Sequence, residues 1–337
     1  MKALMIEAEG RSALHAVSER APGPGEVLVK VRYVGLCGSD LNTFRGLNPL
    51  VTLPRIPGHE ISGEIAALGP DVPAGHKLGQ RVVVLPYTSC GTCSSCRKGR
   101  TNACRYNKTL GVQQDGGLAQ SIVLPYSKVI ANDTLAARHL ALVEPLSVGF
   151  HAVARGTVTA QDTVVVIGCG MIGMGAIVAA SARGAKVIAI DVNADKAAYA
   201  SRFGAAHAVD ASAEDVAGRI DALTNGDGAD VVIEAVGLPV TFTQAVDLAG
   251  FAGRVVYVGY SKAPVTYETR FFNLKELDIM GSRNATMADF EAAIAYLEAL
   301  GDAADGLVTR TFPFAEADQA LPYWASHPDA LKIMIEV

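Results

Sequence analysis

The sequence lacks any long apolar run. None of its 337 residues falls in a window approaching the roughly 18–20 uninterrupted apolar residues that a membrane-spanning helix needs. Glu7 and Glu9 interrupt the amino terminus before the apolar core of a signal peptide could form. Neither end carries a myristoylation or prenylation motif. We therefore predict a soluble, cytoplasmic protein with no membrane partner.

The sequence also lacks a large excess of charge of either sign. Lys plus Arg number 29 and Asp plus Glu number 34, which gives a formal net charge of −5. This balance argues against nucleic acid or an anionic membrane as the main partner. With 50% hydrophobic and 19% charged residues, the chain has ample apolar surface to bury. Its length predicts two domains at about 150 residues each.

Cysteine is scarce except in one loop. Four of the six cysteines lie within fifteen residues, in the segment CGTCSSCRKGRTNAC, with the spacing C-x2-C-x2-C-x7-C: Cys90, Cys93, Cys96 and Cys104. Four thiolates complete the tetrahedral coordination of a structural Zn²⁺ ion. An iron–sulfur cluster is the less suitable alternative, because the bacterial pattern places its fourth cysteine after three residues and before proline. A nucleic-acid-binding zinc ribbon is a further alternative, since the loop is basic, but aromatic residues other than Tyr106 are missing.

The first 150 residues read as short β-type runs separated by proline and glycine turns. The apolar runs lie at 25–35, 61–69, 80–87 and 118–125. Few stretches in this part have a helical pattern, so a twisted, partly closed sheet is expected.

From about residue 160, apolar strand-like runs alternate with helix-like stretches. The strand candidates lie at 162–168, 185–191, 207–211, 229–237, 253–259 and 276–282. This alternation predicts a doubly wound α/β fold, with a parallel sheet covered by helices on both faces. The last run, 331–337, has no local partner strand and is expected to return to the first domain.

The segment GCGMIG (168–173) fits the dinucleotide-binding pattern G-x-G-x-x-G. In this context Gly168 permits the tight turn, Gly170 lets the backbone approach a pyrophosphate, and Gly173 lets the helix pack on the strand. Asp191, eighteen residues after Gly173, ends the next strand and can accept a hydrogen bond from the adenosine ribose. No basic residue follows until Lys196, so NAD is favoured over NADP. Further cofactor contacts are predicted at these positions: Met171, Ile172, Val236, Gly259, Ser282 and Arg283.

A second metal site is predicted from Cys37, in GLCGSD, and from His59 and Glu60, in IPGHE. Cysteine, histidine and carboxylate ligands from separate loops can hold a zinc ion and leave its fourth position open for substrate. The spacing alone is compatible with an ordinary buried cysteine and histidine. The nucleotide motif and the four-cysteine motif in the same chain favour a catalytic metal site over that alternative.

Six segments together resemble the zinc-dependent medium-chain alcohol dehydrogenase family. They are GLCGSD, IPGHE, the four-cysteine loop, EPLSVGFHA (144–152), GCGMIG and MGSRNAT (280–286). EPLSVGFHA is similar to the sorbitol dehydrogenase branch. GRTNAC, GVQQDGG (111–117) and MGSRNAT look closer to bacterial sugar-acid dehydrogenases such as L-galactonate 5-dehydrogenase.

This resemblance implies a GroES-like, mostly β catalytic domain formed by residues 1–148 and 285–337, around a Rossmann NAD-binding domain at 149–284. It implies Cys37 and His59 as ligands of a catalytic zinc. Glu60 and Glu144 would exchange between coordinating that zinc and hydrogen bonding to its bound water. His151 is expected to serve helix packing. Relatives are dimers or tetramers, so a homodimer or homotetramer is expected.

One position departs from the family pattern. Many relatives have a histidine five residues after the zinc cysteine to relay a proton, whereas this chain has Asn42, which does not titrate near neutral pH. We therefore expect Ser39, the first hydroxyl, to accept the proton of a substrate hydroxyl whose pKa the zinc lowers, and the proton to leave through the ribose, water or another group, while NAD takes the hydride.

The expected reaction is reversible, zinc- and NAD-dependent oxidation of a secondary hydroxyl in a polyol or sugar acid. Arg283 could bind the substrate carboxylate with two hydrogen bonds, or it could contact a cofactor phosphate or a helix end. Two alternatives stay open at this point: an NAD(P)-dependent dehydrogenase of simple secondary alcohols or diols, and a non-enzymatic zinc-ribbon scaffold protein.

Overall fold

The computed structural model describes all residues from Met1 to Val337. They form two compact units, one of Met1–Glu144 with Ile294–Val337 and the other of Pro145–Ala293. The predicted domain boundaries, after residues 148 and 284, stay predictions. None of the helices has the length and hydrophobicity needed to cross a bilayer.

Fifteen strands make up three sheets. In chain order, their bounds are β1 Lys2–Ala8, β2 Arg11–Ala16, β3 Glu26–Leu36, β4 Glu60–Leu68, β5 Arg81–Val84, β6 Ser121–Pro125, β7 Val129–Ala131, β8 Thr163–Ile167, β9 Lys186–Asp191, β10 His207–Asp210, β11 Ala229–Glu234, β12 Ala249–Tyr257, β13 Asp278–Gly281, β14 Arg310–Pro313 and β15 Ile333–Glu336.

Eleven α-helices accompany the strands: α1 Gly38–Phe44, α2 Ser94–Arg97, α3 Ala137–Leu140, α4 Val143–Arg155, α5 Met171–Ala182, α6 Ala194–Ala200, α7 Val216–Thr224, α8 Pro239–Leu248, α9 Arg270–Leu274, α10 Met287–Leu300 and α11 Ala317–Ser326. Short 3-10 turns lie at Thr101–Ala103, Tyr126–Lys128, Ser201–Phe203, Gly301–Leu307 and Phe314–Glu316.

The first unit is built on a sheet with the strand order β14-β15-β3-β4-β5-β7, to which β6 adds beside β3. Strand β3 is the longest and pairs antiparallel with β4, β6 and β15. Alternate side chains of β3 are fully buried in the core of this unit, including Val27, Val29 and Val31. The carboxyl-terminal strand β15 thus returns to the first part of the chain, as the sequence predicted.

The second unit contains a six-stranded sheet in the order β10-β9-β8-β11-β12-β13, in which all neighbouring strands are parallel. The strands at its centre are apolar and fully buried, as in Val164, Val165 and Val166, because helices cover both faces. The predicted doubly wound α/β fold is confirmed. Each predicted strand of this unit is present, with ends that differ from the prediction by up to four residues.

Candidate functional site

Three strands of the first unit bring the predicted metal ligands to one edge of the sheet. Strand β3 ends at Leu36, directly before Cys37, and the antiparallel strand β4 begins at Glu60, directly after His59, at the same edge. Strand β15 is also antiparallel to β3, and its first residue pairs with Leu36. This pairing places Lys332, the residue before β15, beside the predicted ligands.

Cys37, His59 and Glu60 form a cluster in which one ligand atom from each residue lies within 4.8 Å of the others. Asp40, a buried residue that the sequence analysis did not assign, links the Cys37 segment to the segment before His59. Its carboxylate accepts hydrogen bonds from the backbone N–H of Cys37 at 2.9 Å and of Gly58 at 3.3 Å. Asp40 therefore fixes the backbone next to both Cys37 and His59.

The His59 ring is buried between two acidic groups, Asp40 and Cys37. Its Nδ1 has no hydrogen-bond partner and lies 4.0 Å from the Asp40 carboxylate. Burial lowers the pKa of His59, but the negative charges of Asp40 and Cys37 outweigh it and hold that pKa well above its usual value. A carboxylate behind the imidazole and a thiol in front of it is the arrangement of a metal-ligating histidine.

Glu60 is paired with Lys332 inside the protein. The Lys332 ammonium donates hydrogen bonds to both carboxylate oxygens of Glu60, at 2.6 and 2.5 Å, and to the Leu36 carbonyl at 2.9 Å. Lys332 and Glu60 are each only 1% exposed to solvent. Gly35 makes room for this pair, because a Cβ there would lie 2.0 Å from Glu60 Oε2. The sequence analysis missed Lys332, although a lysine opening an apolar strand was a visible signal.

Glu144 lies in the first turn of α4 and is buried beside Tyr87, whose hydroxyl donates a hydrogen bond to Glu144 Oε1. Burial raises the pKa of Glu144 to about 7; the Glu60 carboxylate adds to this shift, and His59 opposes it. Burial and the Glu144 carboxylate likewise raise the pKa of Tyr87 well above its ordinary value. Tyr87 is a second residue that the sequence analysis did not assign.

This donor set fits zinc. A thiol, an imidazole and a carboxylate are the ligand types of a catalytic zinc site, which needs three protein ligands. The buried His59 Nδ1 has no hydrogen-bond partner and lies 4.0 Å from the Asp40 carboxylate, which is the type of acceptor that orients a metal-ligating histidine. Ser39, in the first turn of α1, has a buried hydroxyl oxygen without a hydrogen-bond partner. That hydroxyl therefore has unused hydrogen-bonding capacity.

The four-cysteine loop forms a second cluster in the first unit. Ligand atoms of Cys90, Cys93, Cys96 and Cys104 all lie within 4.8 Å of one another, and none of the cysteines forms a disulfide. Cys93 Sγ lies 3.5 Å from Cys96 Sγ and 3.8 Å from Cys104 Sγ. A tetrahedron with Zn–S bonds of about 2.3 Å has edges of about 3.8 Å, so the spacing fits zinc.

The four-cysteine loop also carries basic residues, at positions 97, 98, 100, 105 and 108. Arg97 also donates to the Thr92 carbonyl inside the loop, and the Arg105 guanidinium lies 5.7 Å from the Tyr106 ring centre.

The nucleotide motif lies at the carboxyl edge of the parallel sheet in the second unit. The order of the strands reverses between β8 and β11, and parallel α/β sheets bind ligands in the crevice at such a switch point. Gly168, directly after β8, has a φ of +95°, which favours glycine. A Cβ on Gly173 would lie 1.7 Å from the Gly168 carbonyl oxygen, whereas a Cβ on Gly170 would have no neighbour within 4 Å. Gly173 thus serves close packing, and Gly170 leaves open space in front of the helix.

Asp191 lies at the end of β9, beside the glycine turn. Its two carboxylate oxygens accept backbone hydrogen bonds from Cys169 at 2.7 Å and from Asn193 at 2.8 Å. A carboxylate has about four lone-pair sites, so further acceptor capacity remains. The next residue, Val192, is 73% exposed and carries no charge. Burial raises the pKa of the Cys169 thiol to about 12, so it stays protonated at neutral pH.

The other predicted cofactor residues follow the ends of neighbouring strands at the same edge. Val236 lies two residues after β11, Gly259 two residues after β12, and Ser282 and Arg283 directly after β13. The Ser282 hydroxyl oxygen is buried without a hydrogen-bond partner. His151, in contrast, is buried on α4 with Nδ1 2.8 Å from Asp289 Oδ2.

Comparison with known sequences matches two family profiles. Residues 23–134 match the alcohol dehydrogenase GroES-like domain, and residues 172–299 match the zinc-binding dehydrogenase domain. L-galactonate-5-dehydrogenase from Escherichia coli K12 is 38% identical over 87% of this chain and 86% of its own length. Sorbitol dehydrogenase from Halalkalibacterium halodurans is 34% identical over 99% of both chains. The chain belongs to the zinc-type medium-chain alcohol dehydrogenase family. It is an oxidoreductase that acts on CH–OH groups, so the scaffold-protein alternative is wrong.

Solved structures of this dehydrogenase family carry either nicotinamide cofactor. A zinc-binding dehydrogenase from Sinorhizobium meliloti 1021 bound to NADP is 32% identical, covers 100% of this chain and 99% of that chain, and has a TM-score of 0.90. A protein described as a short chain alcohol dehydrogenase from Escherichia coli CFT073, in complex with NADH, is 30% identical with the same coverage and a TM-score of 0.91. The GroES-like and Rossmann folds expected from the resemblance are confirmed.

Proposed function

We propose that this dehydrogenase reversibly oxidises a secondary hydroxyl of a polyol or sugar acid to the ketone, with NAD as the hydride acceptor and a catalytic zinc ion. The observation that carries this proposal is the convergence of Cys37, His59 and Glu60 within 4.8 Å, at the edge where three strands meet. The relatives named for L-galactonate and sorbitol support the substrate class.

Different residues of the first unit are proposed to bind the metal and to transfer the proton. Cys37 and His59 hold the ion, with Glu60 and Glu144 as the two acids available to complete its coordination. When bound, zinc lowers the pKa of a substrate hydroxyl. Asp40, 4.0 Å from His59 Nδ1, is placed to orient that ring. The Ser39 hydroxyl would accept the proton of the substrate hydroxyl and release its own to the cofactor ribose, water or another group, in place of the histidine that Asn42 replaces. The four-cysteine cluster holds a second, structural zinc.

NAD is proposed to bind the carboxyl edge of the second unit, where it accepts the hydride. The phosphates lie on the amino terminus of α5 at Gly168–Gly173, the adenosine ribose on Asp191, and the remaining contacts come from Val236, Gly259, Ser282 and Arg283. NAD is preferred to NADP because the residue after Asp191 is an uncharged valine, which offers no pairing for a 2′-phosphate.

The substrate class is tested with a panel of polyols, aldonates and simple secondary alcohols, followed by NADH absorbance. Because adjacent hydroxyls can donate to acids such as Glu60 and Glu144, we expect polyhydroxy substrates to have kcat/KM values at least about tenfold above those of simple alcohols. Equal or higher values for simple alcohols or diols would contradict the proposed class.

Arg283 is proposed to bind the carboxylate of a sugar acid. Arg283→Ala should then lower kcat/KM for aldonates by about 10- to 100-fold, because a charge-assisted, two-point contact is lost, and should change that for neutral polyols little. Arg219→Ala, on the exposed surface of α7, is the control and should change neither. Equal losses for both substrate types would instead assign Arg283 to the cofactor.

We also propose a homodimer or homotetramer, on the resemblance to the family alone. Light scattering after gel filtration measures the mass directly, and a mass of 35.1 kDa, that of one chain, would contradict it.

A further inference from the structure

Glu234 is a buried carboxylate in the second unit that the proposed mechanism does not use. It is the last residue of β11 and is 0% exposed. Its Oε1 accepts hydrogen bonds from the backbone N–H groups of Val236 at 2.9 Å and Gly237 at 2.7 Å, and from the Thr241 hydroxyl at 2.7 Å. Its Oε2 is buried and has no hydrogen-bond partner. Burying a carboxylate is costly unless the group is paired or hydrogen-bonded, and here only Oε1 is.

The three hydrogen bonds to Oε1 fix the turn that follows β11. Gly237 in this turn has a φ of +89°, and a Cβ there would lie 2.7 Å from the Tyr260 carbonyl oxygen. On the opposite side, a Cβ on Gly168 would lie 2.6 Å from Val236 Cγ2. The turn is therefore packed between the glycine turn after β8 and the segment after β12.

The position of Glu234 in the sheet indicates which half of a dinucleotide it affects. The strand order reverses between β8 and β11, so a dinucleotide with its pyrophosphate at Gly168 lies across this reversal. Asp191, on β9, marks the adenosine side. The nicotinamide half consequently falls on the side of β11 and β12, where Glu234 lies and where a Cβ on Gly259 would be 2.4 Å from Glu234 Oε2.

We infer that Glu234 is a positioning residue for the nicotinamide half of the cofactor: it holds the Val236 turn against Gly168 and so sets the shape of the crevice on that side. This inference rests on the proposed function, since it needs a dinucleotide at this edge. Glu234 acts through the backbone of the turn and is not proposed to touch the reacting atoms.

The test is calorimetric titration of the zinc-loaded protein with two probes, NADH and AMP. AMP has only the adenosine half, so it reports on the Asp191 side. Glu234→Ala should raise the Kd for NADH about tenfold and leave the Kd for AMP within about twofold, because only the nicotinamide side loses its support. Glu234→Gln should keep the NADH affinity within about twofold, since its amide oxygen can still accept the hydrogen bonds to the turn.

Asp162 provides a matched control, because it is a buried carboxylate just before β8, at the opposite edge of the same sheet, and pairs with Arg254. Asp162→Asn should lower the thermal midpoint and leave both Kd values unchanged. Thr241→Val removes one of the three hydrogen-bond donors to Glu234 Oε1, and it should raise the Kd for NADH about threefold and leave the Kd for AMP unchanged. This variant serves as the test if Glu234→Ala does not fold.

Two results would overturn the inference: an unchanged Kd for NADH in Glu234→Ala and Thr241→Val, or equal weakening of NADH and AMP in these variants. Failure of the unaltered protein to bind either probe would instead contradict the nucleotide site itself.

Discussion

Lys332 and Glu60 form an ion pair from which water is excluded. The two residues are 272 positions apart in the chain, and the pairing of β15 with β3 brings them together beneath the Cys37–His59 cluster. Because the ammonium engages both oxygens of Glu60, it balances the charge of an acid that lies within reach of the proposed zinc. The pair thus links the last strand of the chain to the proposed metal site.

Removing only the lysine should be strongly destabilising. Lys332→Met leaves the Glu60 carboxylate buried without a partner, and we expect the free energy of unfolding in urea to fall by about 3–5 kcal/mol. The double variant Lys332→Met/Glu60→Gln should recover at least half of that loss, because the uncompensated charge is gone. An unfolding midpoint unchanged by Lys332→Met would show that the pair is not buried as described.

Asp191 should determine cofactor preference. Asp191→Ala is expected to raise the Kd for NADH about tenfold and to affect NADPH less, because the hydrogen bond to the ribose 2′-hydroxyl is lost together with the repulsion of a 2′-phosphate. Asp191→Asn keeps an acceptor for only one of the Cys169 and Asn193 backbone N–H groups, and it shows the effect of removing the charge without removing the whole side chain. An unchanged ratio of the two Kd values would reject the assignment.

Residue type and spacing were enough to predict the cysteine, histidine and glycine positions, because metals and phosphates demand those residues in those patterns. Asp40, Tyr87, Lys332 and Glu234 were not found. Their roles depend on partners that only the folded chain brings near, as with Tyr87 and Glu144, which are 57 residues apart. A polar residue that belongs to no motif cannot be recognised as buried or functional from a single sequence.

Among the elements, α10 begins with a compact hydrogen-bonded cluster, which lies in the second unit. Asp289 Oδ2 accepts from the Thr286 backbone N–H at 2.7 Å and hydroxyl at 2.6 Å, and it lies 2.8 Å from His151 Nδ1 on α4. An acid in the third helical position that bonds back to the residue before the helix stabilises the helix start. This contact gives His151 the helix-packing role expected of it.

This cluster predicts a loss of stability in acid. Burial would raise the pKa of Asp289, but the hydrogen bonds from His151 and Thr286 outweigh it and lower that pKa. The stabilisation is therefore complete above the unfolded pKa of about 3.9 and is lost as the pH falls through the folded value. Asp289→Asn should lower the free energy of unfolding by about 1–2 kcal/mol at pH 7, and the difference should shrink towards pH 3. A difference that is constant with pH would contradict this account.

The elements of the second unit were predicted more fully than those of the first. Strands buried on both faces read as continuous apolar runs, so β8, β9 and β11 were visible in the sequence. In the first unit, the short strands β1 and β2 and the pairing order around β3 were not predicted, because they depend on contacts between distant segments.

At the scale of the whole molecule, the candidate metal-binding residues and the candidate nucleotide-binding residues lie in two different compact units. Both cysteine-containing clusters of candidate metal ligands lie in the unit formed by Met1–Glu144 and Ile294–Val337, and the glycine turn lies in Pro145–Ala293. Family membership establishes an oxidoreductase, and the proposed reaction requires a metal-activated hydroxyl together with a bound nicotinamide. The account therefore depends above all on zinc at Cys37 and His59.

The most direct test measures NADH formation from an active polyol or aldonate while the zinc content is determined by atomic absorption. After chelation, we expect turnover to fall by at least about a thousandfold, since no side chain replaces the Lewis acid, and to return when Zn²⁺ is added back. Cys37→Ser should lose one zinc per chain and turnover, yet still bind NADH. Undiminished turnover in protein shown to be free of metal would contradict the account.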